Sequence, residues 1–220
     1  MSQLFRPGAN TWARVVLALL VLGPFMAMLI GGIIQRSDTA TGENRIVEQP
    51  VPFSHQHHAG ELGIDCRYCH TGVEKAASAV VPPTHTCMSC HSQLFTDAEM
   101  LAPVRESMAT GQPLAWKRVN NLPDYVYFDH HVHVNGGVPC AACHGDVRRM
   151  PLTRQAAPLT MGWCLDCHRS PEDSIVAAER EFASAPYVHR TAADRAAARA
   201  TMMRIAHSGK DLMDCSTCHR

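Results

Sequence analysis

The chain has 220 residues, of which 18% are charged and 6% aromatic, and its formal net charge is zero. That length allows one or two domains, and the balanced charge gives no basic patch and no argument for nucleic-acid binding. Fourteen histidines and ten cysteines are many for a chain of this size, and they direct attention to bound cofactors or metals.

The first predicted element is a long apolar helix. Residues 15–34 are twenty residues without a charge, about the length that spans a bilayer. The alternative is a cleaved signal peptide, but the apolar part of such a peptide is usually about 7–15 residues, and no small-x-small cleavage site follows at once. We therefore predict that residues 1–36 form a single-pass anchor in the cell inner membrane. Arg6 and Arg14 before the helix, against Arg36 after it, favour a cytoplasmic N-terminus and a periplasmic remainder.

Residues 37–52 are polar and are predicted to link the anchor to a domain covering residues 53–220. In that domain the unit Cys-x-x-Cys-His occurs five times. Residues three and four apart share a helical face, so two thiols can bond to the two vinyl groups of one haem while the histidine binds its iron. Five covalently bound haem c groups are therefore predicted. The cysteine pairs are Cys66 and Cys69, Cys87 and Cys90, Cys140 and Cys143, Cys164 and Cys167, and Cys215 and Cys218; the proximal ligands that follow them are His70, His91, His144, His168 and His219.

A single such unit could also be half of a zinc site or a redox dithiol. Here all ten cysteines belong to these units and every second cysteine is followed by histidine. Zinc sites do not need that histidine, and disulfide frameworks do not pair cysteines three apart five times over. Covalent haem attachment also indicates maturation outside the cytoplasm. We expect a multihaem cytochrome c fold, with a sparse core, short helices and mostly irregular backbone wrapped around five covalent haems.

A second pattern, Phe-x-His-x-x-His, occurs twice, and each copy precedes two haem units. The domain is therefore predicted to contain two di-haem modules, residues 53–91 and 128–168, and a fifth haem at residues 215–219. The repeated residues are Phe53, His55 and His58 in the first copy and Phe128, His130 and His133 in the second.

The sixth ligand of each iron decides between electron transfer and catalysis, because two strong ligands leave no open position for a substrate. The two repeated pairs offer four distal histidines, enough for four haems. His57 and His131 lie beside these pairs, and a shift of register would make one of them a ligand instead.

Three further helices are predicted, and none carries obvious chemistry. Residues 96–99 form a capping box that opens the first, which Gly111 closes. Residues 170–173 start the second, with proline in its first turn, and it is expected to end before Pro186. The third is Ala- and Arg-rich, runs over residues 191–207 and ends at Gly209.

The pattern Phe-x-His-x-x-His ahead of Cys-x-x-Cys-His resembles the small multihaem cytochromes of class III. The resemblance implies that His55 and His130 bind the haem that follows each directly. It implies that His58 and His133 bind the second haem of each module.

That family also places a ligand a few residues before a haem motif and uses it for the next haem. The matching position here is Met161, which the resemblance makes the sixth ligand of the C-terminal haem, and methionine raises a haem potential. His207, His189 and His85 are the competing candidates. Packing against a porphyrin face would equally suit a methionine.

A second resemblance covers nearly all of residues 12–220. The anchor, the haem motifs and their spacing are similar to the pentahaem cytochrome c subunit of alternative complex III, a membrane quinol:acceptor oxidoreductase of respiratory chains. The resemblance implies an electron relay without catalytic residues, from an iron–sulfur subunit to a monohaem cytochrome c or a terminal oxidase, beside integral-membrane subunits that bind quinol. The matching segments are residues 53–58, 63–70, 122–128, 158–164 and 214–220.

Two other functions stay open at this point. A stand-alone membrane-anchored quinol dehydrogenase would need a weakly ligated haem and a group to take the quinol proton, for which His57 or Asp65 could serve. A catalytic multihaem reductase of nitrogen or sulfur oxyanions is disfavoured, because the distal histidines cover four irons.

Overall fold

The structure is a computed structural model that describes residue 6, residues 8–182 and residues 191–219. It divides into two compact units, Met1–Gly42 and Glu43–Arg220. In the first unit, helix α1 spans Ala9–Gln35 and the short helix α2 spans Asp38–Thr41. Helix α1 contains the predicted residues 15–34, and within the described part of the chain it is the one helix long and apolar enough to cross a membrane.

The second unit consists of short helices joined by irregular backbone, and the described residues contain no strand. The expectation of short helices and much irregular backbone is confirmed. The α-helices are α3 (Cys66–Cys69), α4 (Thr84–His91), α5 (Ala102–Thr110), α6 (His130–Asn135), α7 (Cys140–His144), α8 (Met161–Arg169), α9 (Ala178–Glu181) and α10 (Ala192–Ser208). A π-helix spans Gln56–Glu61, and 3-10 turns span Glu99–Leu101, Val147–Arg149, Pro171–Asp173 and Cys215–Thr217.

The core of this unit is sparse and built mostly from small side chains. The described residues include no buried aromatic side chain, and only Ile175 and Asp194 are large side chains with almost no exposed surface. The buried apolar residues are Val51, Ala59, Val73, Val104, Val134, Met150, Ala157, Ile175, Val176, Ala177 and Ala198. The described residues of this unit therefore bury little apolar surface against one another.

Residues 43–52, predicted as part of a polar linker, lie within the second unit. The backbone amide of Asn44 donates to the carbonyl of Gln155, and Ile46 forms an isolated antiparallel bridge with Arg154. Val51 is buried. This stretch is therefore tied to the segment between α7 and α8.

Helix α10 matches its prediction. Thr191 caps its N-terminus and forms a reciprocal capping box with Asp194, and Gly209 ends it in the left-handed conformation with φ 66°. Gly111 likewise ends α5 with φ 71°. The capping box predicted at residues 96–99 is wrong, however: the hydroxyl of Thr96 donates to the neighbouring Asp97, and the α-helix begins only at Ala102.

The helix predicted from residue 170 is also wrong. It is a single 3-10 turn, Pro171–Asp173, after which Ile175, Val176 and Ala177 lead to α9 without regular secondary structure. These three side chains are buried, and the amide of Val176 donates to the carbonyl of Gly137. Tertiary burial therefore outweighs the local helix signal. The predicted end before Pro186 lies outside the described residues.

The π-helix packs against the 3-10 turn Val147–Arg149, and the contact requires glycine at position 60. A Cβ there would overlap the backbone carbonyl oxygen of Arg148, which cannot move as a flexible side chain could. We expect Gly60→Ala to lower the free energy of unfolding of the haem-loaded protein by about 1–3 kcal/mol, as overpacking does. Chemical denaturation followed by circular dichroism measures it.

The control for this test is Glu61→Ala, since Glu61 is an exposed neighbour in the same π-helix. It should change the free energy of unfolding by no more than about 0.5 kcal/mol. Equal stability of the two variants would contradict the packing described here.

Candidate functional site

The five Cys-x-x-Cys-His units lie on short helical segments. Four occupy α3, the C-terminal part of α4, α7 and α8, and the fifth occupies the 3-10 turn Cys215–Thr217. Local caps start three of these segments: Asp65 accepts from the amide of Arg67, Thr160 from that of Trp163 and Asp214 from that of Ser216. Each segment therefore presents its two thiols and its histidine from a defined turn.

All ten cysteines fall in the described part of the chain, and none forms a disulfide. The described residues also contain no group of three or more His, Cys, Asp or Glu side chains placed to hold a metal ion by themselves.

Three histidines of the Phe-x-His-x-x-His segments each lie beside the histidine of a Cys-x-x-Cys-His unit, and we call these three sets the facing pairs. Their ring planes are inclined at 66°, 4° and 23°. Ring centres lie 6.1 Å apart for His58 and His91, 6.3 Å for His130 and His144, and 6.1 Å for His133 and His168. Two imidazoles that bind one metal from opposite sides, with bonds of about 2.0–2.1 Å, place their ring centres roughly 6 Å apart. These three pairs therefore fit an iron between them.

His55 is the remaining member of the two repeated pairs. Burial and then the neighbouring His70, His58 and His144 lower the pKa of His55 to about 4. Burial and then His130 and His70 lower the pKa of His144 to about 4 as well. Both rings are therefore neutral near pH 7, the form that binds a metal.

Hydrogen bonds at Nδ1 set the orientation of these rings. A backbone carbonyl can only accept, so an imidazole bonded to one through Nδ1 carries its proton there and leaves Nε2 free for a metal. The carbonyl acceptors belong to Ser54 for His58, Val80 for His70, Leu94 for His91, Ala77 for His130, Asp129 for His133, Leu212 for His168 and Tyr125 for His219. Nδ1 of His55 lies 2.8 Å from the hydroxyl of Thr153, and Nδ1 of His144 lies 3.0 Å from the side-chain amide of Asn120.

The Val80 carbonyl is held by an unusual backbone conformation. Val80 has φ 58°, in the left-handed region that a β-branched residue rarely adopts. Its carbonyl oxygen lies 2.8 Å from Nδ1 of His70. Strain of this kind concentrates at functional positions, and here it directs an acceptor onto a motif histidine.

The phenylalanine of each repeat packs between its two histidines. Phe53 stacks on His58 with ring centres 4.4 Å apart and meets His55 edge-on at 4.9 Å. Phe128 repeats this on His133 at 4.6 Å and His130 at 4.8 Å. The near-identical geometry shows that the sequence repeat is a structural repeat, and that the aromatic ring orients both imidazoles.

His57 and His131, which lie beside these pairs, are engaged differently. Nδ1 of His57 lies 2.9 Å from Glu61, and Nδ1 of His131 lies 2.6 Å from Asp129. Both partners are carboxylates, and neither ring lies among the three facing pairs. The structure therefore places both beside the site and brings neither opposite a motif histidine.

Neighbouring thiols connect the five units in space. A hydrogen bond with the Cys140 thiol lowers the pKa of Cys66 to about 6. Burial, then the nearby Cys87 and Cys66, raises the pKa of Cys69. The hydroxyls of Tyr68 and Ser89, 2.9 Å apart, also join the first and second units. The first unit is thus flanked by the second and the third.

The same kind of contact continues through the later units. Burial and then Cys167 and Cys164 raise the pKa of Cys143 to about 11. Burial and then Cys218 and Cys167 raise the pKa of Cys164. Contacts therefore connect the second unit to the first, the first to the third, the third to the fourth and the fourth to the fifth.

Met161 begins α8 and is 63% exposed. It precedes Cys164 by three residues, so the two share a helical face, and Cys164 neighbours Cys218 of the fifth unit. His207, near the end of α10, holds Nδ1 2.7 Å from the carbonyl of Met203 and so leaves Nε2 free. His85 lies in α4, at the second unit, and His189 lies outside the described residues.

Several residues that hold the histidines were not identified from the sequence. Thr153 and Asn120 lie 98 and 24 positions from their histidine partners. The remaining acceptors are backbone carbonyls, which every residue possesses. Among the residues that contact these histidines, only Phe53 and Phe128 could be recognised from the sequence, because they begin the repeated pattern.

No protein-family model matches the chain. It is 36% identical over 98 residues to a protein of Nitratidesulfovibrio vulgaris (strain Hildenborough) named menaquinone reductase, multiheme cytochrome c subunit. The match covers 44% of this chain and 46% of that protein, so it spans about half of each. This similarity supports a place among the multihaem cytochromes c, in agreement with the motifs.

Proposed function

We propose that this chain is a membrane-anchored electron-transfer protein that carries five c-type haems and relays electrons in a quinone-linked respiratory complex. The observation that carries the proposal is the set of three facing imidazole pairs, each joining a distal and a proximal histidine at 6.1–6.3 Å. Two strong ligands close an iron to substrate, which suits electron transfer rather than catalysis.

The proposed ligand sets follow these pairs. His58 and His91 would hold the second haem, His130 and His144 the third, and His133 and His168 the fourth. His55 and His70 are proposed for the first haem. Bound haem supplies a one-electron redox centre, whose potential depends on its ligands and their hydrogen bonds. The chain holds seven of the nine proposed ligand imidazoles by a hydrogen bond from Nδ1–H to a backbone carbonyl, which leaves their Nε2 for the iron.

The contacts between successive attachment units support a relay of electrons from haem to haem. We propose that the second and fifth units form its two ends, one toward the electron donor and the other toward the acceptor. We propose the same single-pass arrangement as the sequence favours: α1 in the inner membrane, the N-terminus cytoplasmic and the haem domain, with di-haem modules 53–91 and 128–168, periplasmic.

We propose first the general class of complex to which the chain belongs and then a specific complex. The relative's name supports a subunit of a membrane complex that acts on a quinone. The more specific proposal is the pentahaem subunit of alternative complex III, whose partners would be an iron–sulfur protein, a monohaem cytochrome c, quinol-binding membrane subunits and a terminal oxidase. A menaquinone reductase is the second candidate, because the relative bears that name.

The test is a native gel of gently solubilised membranes, stained for haem, with the bands assayed for quinol oxidation and for menaquinone reduction. Migration with iron–sulfur and integral-membrane subunits supports the relay. Quinol oxidation by that band would favour alternative complex III, and menaquinone reduction would favour a menaquinone reductase. A lone haem protein that oxidises quinol would make it a stand-alone dehydrogenase. Carbon monoxide binding to the reduced protein as isolated would instead favour a catalytic reductase.

The sixth ligand of the fifth haem gives a separate prediction. If Met161 is that ligand, Met161→His should lower one of the midpoint potentials, because an imidazole replaces a thioether. Spectroelectrochemical titration of the purified protein measures this. His207→Ala is the matched variant and should leave all potentials in place. The reverse result, an effect of His207→Ala and none of Met161→His, would assign the ligand to His207.

A further inference from the structure

Asn120 differs from the other hydrogen-bond partners of the proposed haem ligands, because it places a nitrogen against Nδ1 of the imidazole. Seven of those histidines place Nδ1 against a backbone carbonyl, and His55 places it against a hydroxyl. Nδ1 of His144 lies 3.0 Å from Nδ2 of Asn120, which is a nitrogen. Oδ1 of the same amide is buried and has no hydrogen-bond partner.

This arrangement is compatible with only one form of the imidazole. An amide nitrogen donates, so Nδ1 of His144 would have to accept and the ring proton would lie on Nε2. A protonated Nε2 has no lone pair for iron. A ring that binds iron through Nε2 carries its proton on Nδ1, and two donors would then face each other across 3.0 Å.

A half-turn of the amide removes this conflict. It exchanges Oδ1 and Nδ2, which have nearly the same shape, and brings an acceptor to His144. It also takes the buried Oδ1 out of the position where it lacks a partner. The two amide protons then occupy that position, where an acceptor is needed in the loaded protein.

We propose that Asn120 is the positioning residue of the third haem site, accepting the Nδ1–H of His144 through Oδ1 whenever His144 binds iron. This inference rests on the proposed function, since it requires a haem at Cys140 and Cys143. The bond holds the His144 ring parallel to that of His130, from which it is tilted by only 4°. It also supplies the partial negative charge that makes the imidazole a stronger donor to the metal.

The experiment uses the full-length haem-loaded protein with Asn120→Asp, Asn120→Leu and, as control, Asn121→Leu. Asn121 is the exposed neighbour. The aspartate can only accept, so it strengthens the bond to Nδ1–H and should lower one midpoint potential of the five. The leucine removes the acceptor and should raise the same potential. The other four potentials, and all five in the control, should not move.

Spectroelectrochemical titration gives the potentials, and electron paramagnetic resonance of the oxidised protein shows whether one low-spin signal changes with them. Equal potentials in both Asn120 variants, or a shift of all five, would overturn the role of Asn120. If the leucine variant does not accumulate, the aspartate variant, which matches asparagine in size, still decides the question. His144→Ala separates the two proposals: a protein that keeps all five low-spin haems after that change refutes the haem site itself.

Discussion

Replacing His133 by alanine is expected to convert one haem of the proposed five from low-spin to high-spin. The ring of His133 lies 6.1 Å from that of His168 and stacks on Phe128. No other imidazole is placed opposite His168 among the described residues, so alanine would leave that iron with an open position. About a fifth of the total haem should then bind carbon monoxide when reduced. Absorption and electron paramagnetic resonance spectra of the purified protein measure both changes.

His131→Ala is the control for this prediction. His131 lies in the same helix, and its Nδ1 bonds to the carboxylate of Asp129. Its loss should leave all five haems low-spin and closed to carbon monoxide. High-spin haem in the His131 variant and none in the His133 variant would assign this distal ligand to His131 instead of His133.

Replacing Asp194 by alanine is expected to cost roughly 3–5 kcal/mol of stability, the range found when one partner of a buried ion pair is removed. Asp194 is fully buried. Its carboxylate accepts from the amide of Ala177 at 2.9 Å and from that of Thr191 at 2.7 Å, and it pairs with the guanidinium of Arg180. One side chain thus joins the start of α10 to the buried segment before α9. Chemical denaturation gives the change in free energy, and Asp97→Ala, an exposed carboxylate, should cost less than about 0.5 kcal/mol.

The same carboxylate makes stability depend on pH. Burial favours its neutral form, but hydrogen bonds from Ala177 and Thr191 and the charge of Arg180 outweigh burial and hold the pKa of Asp194 below its usual value of 3.8. A carboxyl with a lowered pKa stabilises the fold above its unfolded pKa and loses that contribution as the pH falls through its folded pKa. The stability difference between the protein and Asp194→Asn should therefore be constant at neutral pH and shrink below about pH 4. A difference unchanged down to pH 2 would contradict this.

The grouping of the histidines could be predicted from the sequence because it depends on short, exact spacings. Cys-x-x-Cys-His needs one helical turn, and Phe-x-His-x-x-His places two imidazoles on one side of a turn. Both patterns act within eight residues, so tertiary context changes them little. Helix α10 was predictable for the same reason, since Thr191, Asp194 and Gly209 are local signals.

The predictions fail where contacts between residues far apart in sequence determine the local structure. The helix expected from residue 170 does not form because Ile175 and Val176 are buried and the amide of Val176 donates to the carbonyl of Gly137. The contacts between the Cys-x-x-Cys-His units could not be predicted either, because the contact between Cys66 and Cys140 joins residues far apart in sequence. Asn120 carries no motif at all. Its proposed role rests on two observations: Nδ2 lies 3.0 Å from Nδ1 of His144, and Oδ1 is buried without a hydrogen-bond partner.

The sparse core has a consequence for biosynthesis. Buried side chains that are mostly alanine and valine offset little of the conformational entropy that is lost when a unit of nearly 180 residues is ordered. We therefore expect folding of this unit to depend on attachment of its prosthetic groups, as folding of small metal-binding domains depends on their ion. A chain that misses one attachment would keep a region open to proteases, so that degradation removes incompletely matured copies before they can join an assembly. Only chains that have received every cofactor would then escape degradation.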